Sequence, residues 1–424
     1  MRILALTAGA ANMYCGSCLR DNALARELMR QGHQATLVPM YTPTKTDTEN
    51  VSGKRVFFGG ISIWLQQNVP VFRTLPAWMD QLFDAPWALR LATKGSIEVD
   101  PKLLGELSVS TLKGERGFQR KEIRKLLDWL RTEPRPDVIA LPYTLLIALA
   151  EPLRRELKAP VLCTLQGEDL FLEGLQEPWR SQCLDLIRSQ TPQVDRFIAV
   201  STYYAGFMSE YLGIVRDRID VVPLGVDVQG FDPLPKTESK ALRVGYFARL
   251  APEKGLDILC EAVSRMSEPA ELHVAGYMPP EQSKWVQDLQ SRYGFRYEGS
   301  PDLEGKIRFL QSVDVLSVPT RYREPKGLFA LEAMAVGTPV VQPAHGAFPE
   351  LLNKTRGGIL TEPGCAVDLA LKLDALARDR GHVRQLGANG ADGVRQHFRL
   401  QTMAERTVDV YRSVLSSVEC NPQR

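Results

Sequence analysis

The chain has 424 residues, of which 44% are hydrophobic and 24% charged, and its formal net charge is +2. This length predicts two or three domains, and the composition is typical of a soluble globular protein. The near-neutral charge argues against a nucleic-acid-binding protein. So does the lack of interleaved basic and aromatic residues, a Walker loop or zinc-ligand spacing.

No segment approaches the roughly eighteen apolar residues that a membrane-spanning helix needs. The longest candidate begins at Ile139 and is interrupted by a proline. The N-terminal MRILALTAGA has too short an apolar stretch for a signal sequence and fits a first buried strand better. Seven cysteines, an odd number spread along the chain, argue against a secreted disulfide framework. We therefore expect a cytoplasmic protein.

Apolar segments alternate with helix-length stretches throughout residues 1–228. This alternation predicts an α/β domain with a parallel, doubly wound sheet. The predicted strands are residues 2–7, 34–40, 137–142, 160–166, 196–201 and 219–224.

Residues 59–125 interrupt the alternation. They carry Trp64, Trp78 and Trp87 without a clean strand–helix pattern. We interpret them as an elaboration of the first domain. It is either a helical hairpin that packs its aromatic side chains internally or a platform that contacts a ligand, and the hairpin is favoured.

A basic amphipathic helix is predicted within residues 118–131. Its apolar residues share one helical face, and five basic residues surround them. Such a helix either lies on anionic lipid at the inner membrane surface or packs on the first-domain sheet, and packing is favoured. The apolar residues are Phe118, Ile123, Leu126, Leu127 and Leu130.

A polar, proline-containing stretch from Gly225 indicates a linker. A second series of strand-like segments follows it, so we place a second α/β domain at residues 229–399. A final amphipathic helix is predicted from Leu400. The predicted strands of the second domain are residues 243–250, 271–277, 295–299, 314–320, 338–344 and 357–363.

The segment REPKGLFALEAMAVGTPVV places Glu324 and Glu332 eight positions apart. Lys326 and Gly327 open a helix at Leu328, directly after a predicted strand. A glycine turn at a helix N-terminus presents N–H groups and a positive dipole end to an anion such as a phosphate. The two carboxylates suit hydroxyl donors instead, as on a sugar and a ribose. The pattern indicates a sugar nucleotide, and an ordinary strand–helix unit with solvent-facing acids is the alternative.

This segment, together with HGAFPE ending at Glu350, resembles the Glu-x7-Glu signature of the family 4 retaining glycosyltransferases. The resemblance implies the GT-B fold, in which two Rossmann-like domains with doubly wound parallel sheets face each other across a cleft. It implies transfer of a sugar from a nucleoside-diphosphate sugar to an acceptor hydroxyl with retention. It also implies that residues 400–424 pack back on the first domain and that residues 59–125 lie on the acceptor side.

The resemblance assigns roles within the signature. Glu324 would act in catalysis by binding the transferred sugar, and Glu332 would bind the ribose. Lys326, Gly327 and Leu328 would bind the rest of the sugar nucleotide at the helix N-terminus.

Two cations upstream complete the expected catalytic set. Arg249 and Lys254, in YFARLAPEKGLD, resemble the family's G-R-x4-K-G phosphate site, although Ala248 replaces the usual glycine. Their charges would stabilise the departing diphosphate.

The first domain matches the family less closely. The family carries Gly-Gly after the first strand, where this chain has Cys15 and Gly16, so only Gly16 is assigned to sugar-nucleotide binding. The family commonly has a histidine after the strand at 160–166, where this chain has Gln166. An amide cannot act as a general base. Gln166, Glu168 and Asp169 are predicted to line the acceptor side, and helix capping is an equal alternative for the two acids.

We predict no bound metal and no cofactor. No Asp-x-Asp motif occurs to clamp a metal–diphosphate complex, and the five histidines do not cluster. Cys15 and Cys18 form a Cys-x-x-Cys motif that is a redox or metal site only if its surroundings support one. Two small residues in a loop are the favoured interpretation.

The sequence leaves the nucleotide base and the acceptor open. The acceptor is a glycan, a lipid-linked compound or a small molecule. A glycosyltransferase-like binding or scaffold protein without activity is one alternative function. A GT-B phosphorylase that uses pyridoxal phosphate is another.

Overall fold

Apolar segments form two parallel six-stranded sheets in the computed structural model. The model describes residues 1–9, 16–46, 48–53, 55–58, 63, 66–67, 101–236 and 239–419. The chain divides into two units. The first comprises Met1–Val200, Tyr204–Val222 and Ala404–Arg424, and the second comprises Ser201–Tyr203 and Pro223–Met403.

The first sheet has the strand order β2-β1-β3-β4-β5-β6, and all its neighbours pair in parallel. Its strands consist mainly of aliphatic residues because helices cover both faces of such a sheet. All six strands predicted before residue 228 are present. They are β1 (Arg2–Thr7), β2 (Gln34–Pro39), β3 (Val138–Leu141), β4 (Val161–Leu165), β5 (Arg196–Ala199) and β6 (Ile219–Val221).

Helices connect these strands along the chain. The described α-helices are α1 (Gly16–Arg30), α2 (Pro101–Leu112), α3 (Arg120–Leu130), α4 (Ala150–Leu157), α5 (Asp169–Glu173), α6 (Trp179–Gln190) and α7 (Thr202–Leu212).

Helix α3 is the predicted amphipathic helix. Four of its five predicted apolar residues are buried, while Phe118 precedes the helix and is 40% exposed. Arg120 and Arg124 are exposed. The apolar face is therefore buried, and α3 contacts α4 of the same unit. Packing of this face on the first sheet stays a prediction.

The second sheet has the order β12-β11-β10-β7-β8-β9, again in parallel. All six predicted strands are present, although β9 and β10 are reduced to two residues each. The strands are β7 (Leu242–Phe247), β8 (Ala270–Ala275), β9 (Arg296–Tyr297), β10 (Val315–Leu316), β11 (Val340–Pro343) and β12 (Gly358–Thr361).

The remaining helices follow α7 along the chain, and the residues of the last one from Ala404 onward belong to the first unit. They are α8 (Leu256–Ser264), α9 (Ser283–Tyr293), α10 (Leu303–Ser312), α11 (Leu328–Ala335), α12 (Phe348–Thr355), α13 (Ala366–Arg378), α14 (Arg380–His397) and α15 (Leu400–Glu419). Helix α15 is the helix predicted from Leu400.

Some predictions lie outside the described residues. They concern Cys15 and most of the elaboration between residues 59 and 100, including its three tryptophans. Within the described ranges, no helix has the length and apolar character needed to cross a membrane.

Candidate functional site

The order of the second sheet changes direction at β7, which lies between β8 and β10. Such a reversal leaves a crevice at the carboxyl ends of the two strands, where ligands of doubly wound sheets bind. The segment after β7 carries Arg249 and Lys254, and the segment after β10 carries Glu324. Residues 70 positions apart, Lys254 and Glu324, therefore meet at one edge.

Lys254 and Glu324 form a largely buried ion pair. The Lys254 Nζ lies 3.0 Å from the Glu324 Oε2, and the two side chains are 16% and 7% exposed. The Tyr322 hydroxyl donates to the same carboxylate oxygen and contacts Nζ. The rings of Tyr322 and Phe329 flank Nζ at 4.8 and 5.5 Å from their centroids. The ammonium is thus held by a carboxylate, a hydroxyl and two aromatic faces.

Glu324 is an ionised acceptor. Burial alone would raise its pKa, but the charge of Lys254 and hydrogen bonds from Tyr322 and Lys254 lower the pKa to about 2. The backbone N–H groups of Lys326 and Gly327 point at its other oxygen, 3.3 and 3.4 Å away. The carboxylate is therefore charged over the whole physiological range of pH.

Two glycines shape the turn that carries Glu324. Gly327 caps α11 with a left-handed φ of 68°, and a Cβ there would lie 2.7 Å from the Leu351 Cδ1. Gly346 follows β11, and a Cβ there would lie 2.5 Å from the Glu324 carbonyl oxygen. The Ala347 N–H donates to that same oxygen at 2.8 Å. The HGAFPE segment therefore packs on the backbone of Glu324.

The rest of the signature lies around the start of α11. Leu328 is its first residue, and both Lys326 and Leu328 are half-buried. Glu332 lies one turn inside the helix and is 7% exposed. Its Oε1 accepts a 2.7 Å hydrogen bond from the Nζ of Lys306 on α10. Both predicted glutamates are therefore paired with a lysine from another segment.

Arg249 takes a different position from Lys254. Its guanidinium pairs with Glu253, and its side chain is 53% exposed. The described contacts give it no bond to Glu324. The predicted catalytic set thus separates into a buried Lys254–Glu324 pair and an accessible Arg249 held by a neighbouring acid.

Sequence reasoning missed Tyr322, Lys306 and His345. The His345 Nε2 lies 3.0 Å from the Thr320 carbonyl oxygen, and its buried Nδ1 has no hydrogen-bond partner among the described residues. Burial lowers its pKa, so the imidazole is neutral at pH 7. The HGAFPE match could have drawn attention to His345, whereas the other two carry no local pattern.

In the first unit, Gly16 begins α1. A Cβ added there would meet no atom of the described residues within 4 Å. Cys18, two residues on, is buried in the same helix.

The predicted acceptor-side residues make hydrogen bonds to other residues of the first unit. Gln166 is 2% exposed, and its amide donates to the Pro142 carbonyl oxygen at 2.8 Å and lies 3.4 Å from the Asp21 Oδ1. Glu168 is 5% exposed and accepts from the N–H of Thr144 and, at 2.8 Å, from that of Gln166. Its side chain therefore joins the loops after β3 and β4.

Asp169 opens α5 and is half-buried. It accepts a 2.7 Å hydrogen bond from the Tyr204 hydroxyl. Burial raises the pKa of both Asp169 and Glu168. An acceptor role for these acids stays a prediction.

The neighbour of Gln166, Asp21, belongs to a buried ion pair that the sequence did not reveal. The Arg20 Nη1 donates to the Asp21 Oδ1 at 3.1 Å, and both side chains are about 5% exposed. Burial raises the pKa of Asp21 against the opposing effect of Arg20. Within the described ranges, no three His, Cys, Asp or Glu side chains are grouped as metal ligands.

Two family models match the chain. The model described as Glycosyltransferase Family 4 matches residues 106–229. The model described as Glycosyl transferases group 1 matches residues 241–379, which include Arg249, Lys254, Glu324 and Glu332.

Among curated proteins, the MMP alpha-(1->4)-mannosyltransferase of Mycolicibacterium hassiacum is 28% identical over 53% of this chain and 56% of its own length. The uncharacterized glycosyltransferase MJ1607 of Methanocaldococcus jannaschii is 30% identical over 39% of this chain and 44% of its own. The chain spans about half the length of these curated relatives.

Two solved structures cover nearly the whole chain. Sucrose-phosphate synthase of Thermosynechococcus elongatus superposes with a TM-score of 0.73 at 18% identity, over 98% of this chain and 100% of that one. HepE of Anabaena, in complex with UDP and glucose, gives 0.67 at 16% identity, over 97% and 100%. These likenesses confirm the predicted fold class.

Proposed function

We propose that this chain, which belongs to family 4 of the glycosyltransferases, moves a sugar from a nucleoside-diphosphate sugar to an acceptor hydroxyl with retention. The observation that carries the proposal is the Glu324 carboxylate. It is buried, ionised and held by Lys254 and Tyr322 beside the N-terminus of α11. A carboxylate fixed in this way is an acceptor for sugar hydroxyls.

The charges around it suit a departing diphosphate. Transfer develops negative charge on the leaving nucleotide, and fixed cations stabilise that charge without reorganisation. In the proposed mechanism Lys254 and Arg249 supply these cations. Glu324 accepts hydrogen bonds from the transferred sugar, and Glu332 accepts them from the ribose.

The proposal includes retention without a protein base, because Gln166 occupies the position where the family commonly has a histidine. That amide cannot take a proton, and it is already engaged by Pro142 and Asp21. The resemblance implies a front-face route, in which a phosphate oxygen of the leaving group takes the proton of the acceptor hydroxyl. Such a route needs no protein nucleophile.

A first donor to test is a UDP-sugar, because the structural neighbour HepE is described with UDP and glucose. The acceptor is proposed to be a glycan, a lipid-linked compound or a small molecule. A thermal-shift panel of UDP-, GDP- and ADP-sugars identifies the base, because a ligand that binds only the folded state raises the melting temperature.

The decisive experiment follows release of the nucleoside diphosphate from the best sugar nucleotide. Glu324→Gln should lower the rate about tenfold to a hundredfold, since a hydrogen bond to a charged group contributes about 1.5–3 kcal/mol. Equal rates for the two proteins at saturating sugar nucleotide would remove Glu324 from the reaction. Binding without any turnover, even with a broad acceptor panel, would favour the binding-protein alternative.

Metal independence is tested in the same assay. We expect EDTA to leave the rate unchanged, because the chain lacks an Asp-x-Asp clamp for a metal–diphosphate complex. Loss of activity on chelation, restored by Mn²⁺ or Mg²⁺, would contradict this part of the proposal. Pyridoxal phosphate released from the purified protein by acid would favour the phosphorylase alternative.

A further inference from the structure

We propose that Lys306 is a positioning residue that orients the Glu332 carboxylate toward the ribose of the sugar nucleotide. This inference rests on the proposed function and adds a residue that neither the signature nor its spacing contains. Lys306 acts through Glu332 and does not itself contact the nucleotide.

The contact is short and buried. The Lys306 Nζ donates to the Glu332 Oε1 at 2.7 Å, and the two side chains are 8% and 9% exposed. Lys306 lies in the second turn of α10, and Glu332 lies one turn inside α11. Each helix thus brings one charged side chain to the contact between them.

The two helices are also tied at their other ends. The Thr338 hydroxyl, just beyond α11, donates to the Leu310 carbonyl oxygen in α10 at 2.6 Å. The Lys236 ammonium donates to that hydroxyl at 2.7 Å and to the Gln311 and Val313 carbonyl oxygens at 2.8 Å each. These hydrogen bonds connect the C-terminal end of α10 to the segment just beyond α11, which helps to keep Lys306 and Glu332 in contact.

Stability alone explains such a pair poorly. A buried ion pair loses about as much in desolvation as it gains in attraction, and an apolar pair of similar volume often stabilises as well. An ammonium has three donors and no acceptor, so it fixes one oxygen of the carboxylate through a charge-assisted hydrogen bond. Lys254 does the same for Glu324. Both signature glutamates therefore have the same support, which a site that binds hydroxyls needs.

The test compares ribose recognition in variants of the full-length protein. The probes are whichever of UDP, GDP and ADP the wild type binds most tightly, and the 2′-deoxy and 3′-deoxy forms of that nucleotide. Calorimetry gives the ratio of affinities for the ribose and deoxyribose forms. In the wild type we expect at least one deoxy form to bind about tenfold more weakly, because a charge-assisted hydrogen bond is lost.

Lys306→Met should reduce this ratio to about twofold or less and weaken the ribose form most. Lys306→Arg, which keeps the cation, should restore part of the ratio. The matched control is Lys121→Met on α3 in the first unit. Lys121 is 8% exposed and Lys306 is 6% exposed, so the two lysines are similarly buried. This control should leave the ratio unchanged, which separates orientation of Glu332 from a general loss of stability.

The double variant Lys306→Met/Glu332→Gln keeps the proposal testable if the single variant does not fold, since it leaves no unpaired buried charge. It should bind the ribose form as weakly as Glu332→Gln alone. A further tenfold loss would show that Lys306 acts independently of Glu332 and would overturn the proposal. So would a Lys306→Met protein that retains the wild-type ratio.

Failure of the proposed function gives a different result. A wild type that binds none of the three nucleotides, or that binds ribose and deoxyribose forms equally, removes the ribose role of Glu332 and the role of Lys306 with it. A wild type that discriminates, together with a Lys306→Met variant that discriminates equally, overturns the inference about Lys306 alone.

Discussion

Replacing Lys254 by methionine should destabilise the second unit by about 3 kcal/mol at pH 7. The change leaves the Glu324 carboxylate, whose side chain is 7% exposed, without the ammonium 3.0 Å away. Removing one partner of a buried pair costs about 3–5 kcal/mol because the remaining charge is unpaired. The charge and the hydrogen bond of Lys254 are among the effects that lower the pKa of Glu324 to about 2, so removing the ammonium should raise that pKa.

The loss should depend on pH in a defined direction. The pKa of Glu324 is lower in the folded state than the ordinary glutamate value of 4.5. Its stabilising contribution is therefore complete above about pH 4.5 and is lost as the pH falls toward 2. The difference in unfolding free energy between wild type and Lys254→Met should accordingly be large at pH 7 and smaller at pH 3.5.

Hydrogen exchange in urea, followed by mass spectrometry on peptides from residues 250–330, reads this free energy in the second unit. Lys284→Met, at an exposed lysine of the same unit, is the matched control. Lys254→Met/Glu324→Gln should be more stable than Lys254→Met alone because it leaves no unpaired charge. The reasoning would be refuted if the unfolding free energy of Lys254→Met lay within 1 kcal/mol of that of the control, which is about one tenth of a typical domain's stability. An equal loss at pH 7 and pH 3.5 would also refute it.

Three further predictions follow from the same contacts. Arg249→Ala and Lys254→Ala should each lower kcat/KM, but less than additively when combined, because both act on one developing charge; strict additivity would assign them separate groups. Gly327→Ala should cost about 1–3 kcal/mol in urea unfolding, through left-handed strain and a Cβ 2.7 Å from Leu351. Gly294→Ala, with a φ of 69° and open space, should show the strain alone, and equal losses would contradict the packing argument. The protein should not co-sediment with anionic or neutral liposomes through α3, because the apolar face of that helix is buried. Binding to anionic vesicles alone that Arg124→Glu abolishes would contradict this.

The fold was predictable because its signal is local and repeated. Strand segments such as residues 160–166 are mainly apolar, and helix-length stretches separate them, so alternation alone indicates two parallel sheets. The ends of the strands were less predictable. The segment 314–320 forms only the two residues of β10, although Asp314 and Ser317 on either side still donate backbone hydrogen bonds to Arg243 and Gly245 of β7.

In the first unit, residue type and position did not predict the hydrogen bonds that Gln166 and Glu168 make within the protein. Gln166 and Glu168 follow a buried strand, where polar side chains often meet ligands. The loops there also have N–H groups of their own to satisfy, and Glu168 accepts from two of them, those of Thr144 and Gln166. A sequence does not distinguish a carboxylate that binds a ligand from one that holds its own loop.

The candidate site of the second unit shows another limit of prediction from the sequence. Glu324 and Glu332 were identified by spacing, but their partners lie 70 and 26 residues away in the chain. A lysine in a loop or on a helix has no pattern that marks it as buried, so only the fold reveals Lys306. A carboxylate held by a lysine loses less side-chain freedom when it binds a ligand, which reduces the ordering cost of binding. Each glutamate of the signature is therefore paired with a lysine that the spacing of the signature does not reveal.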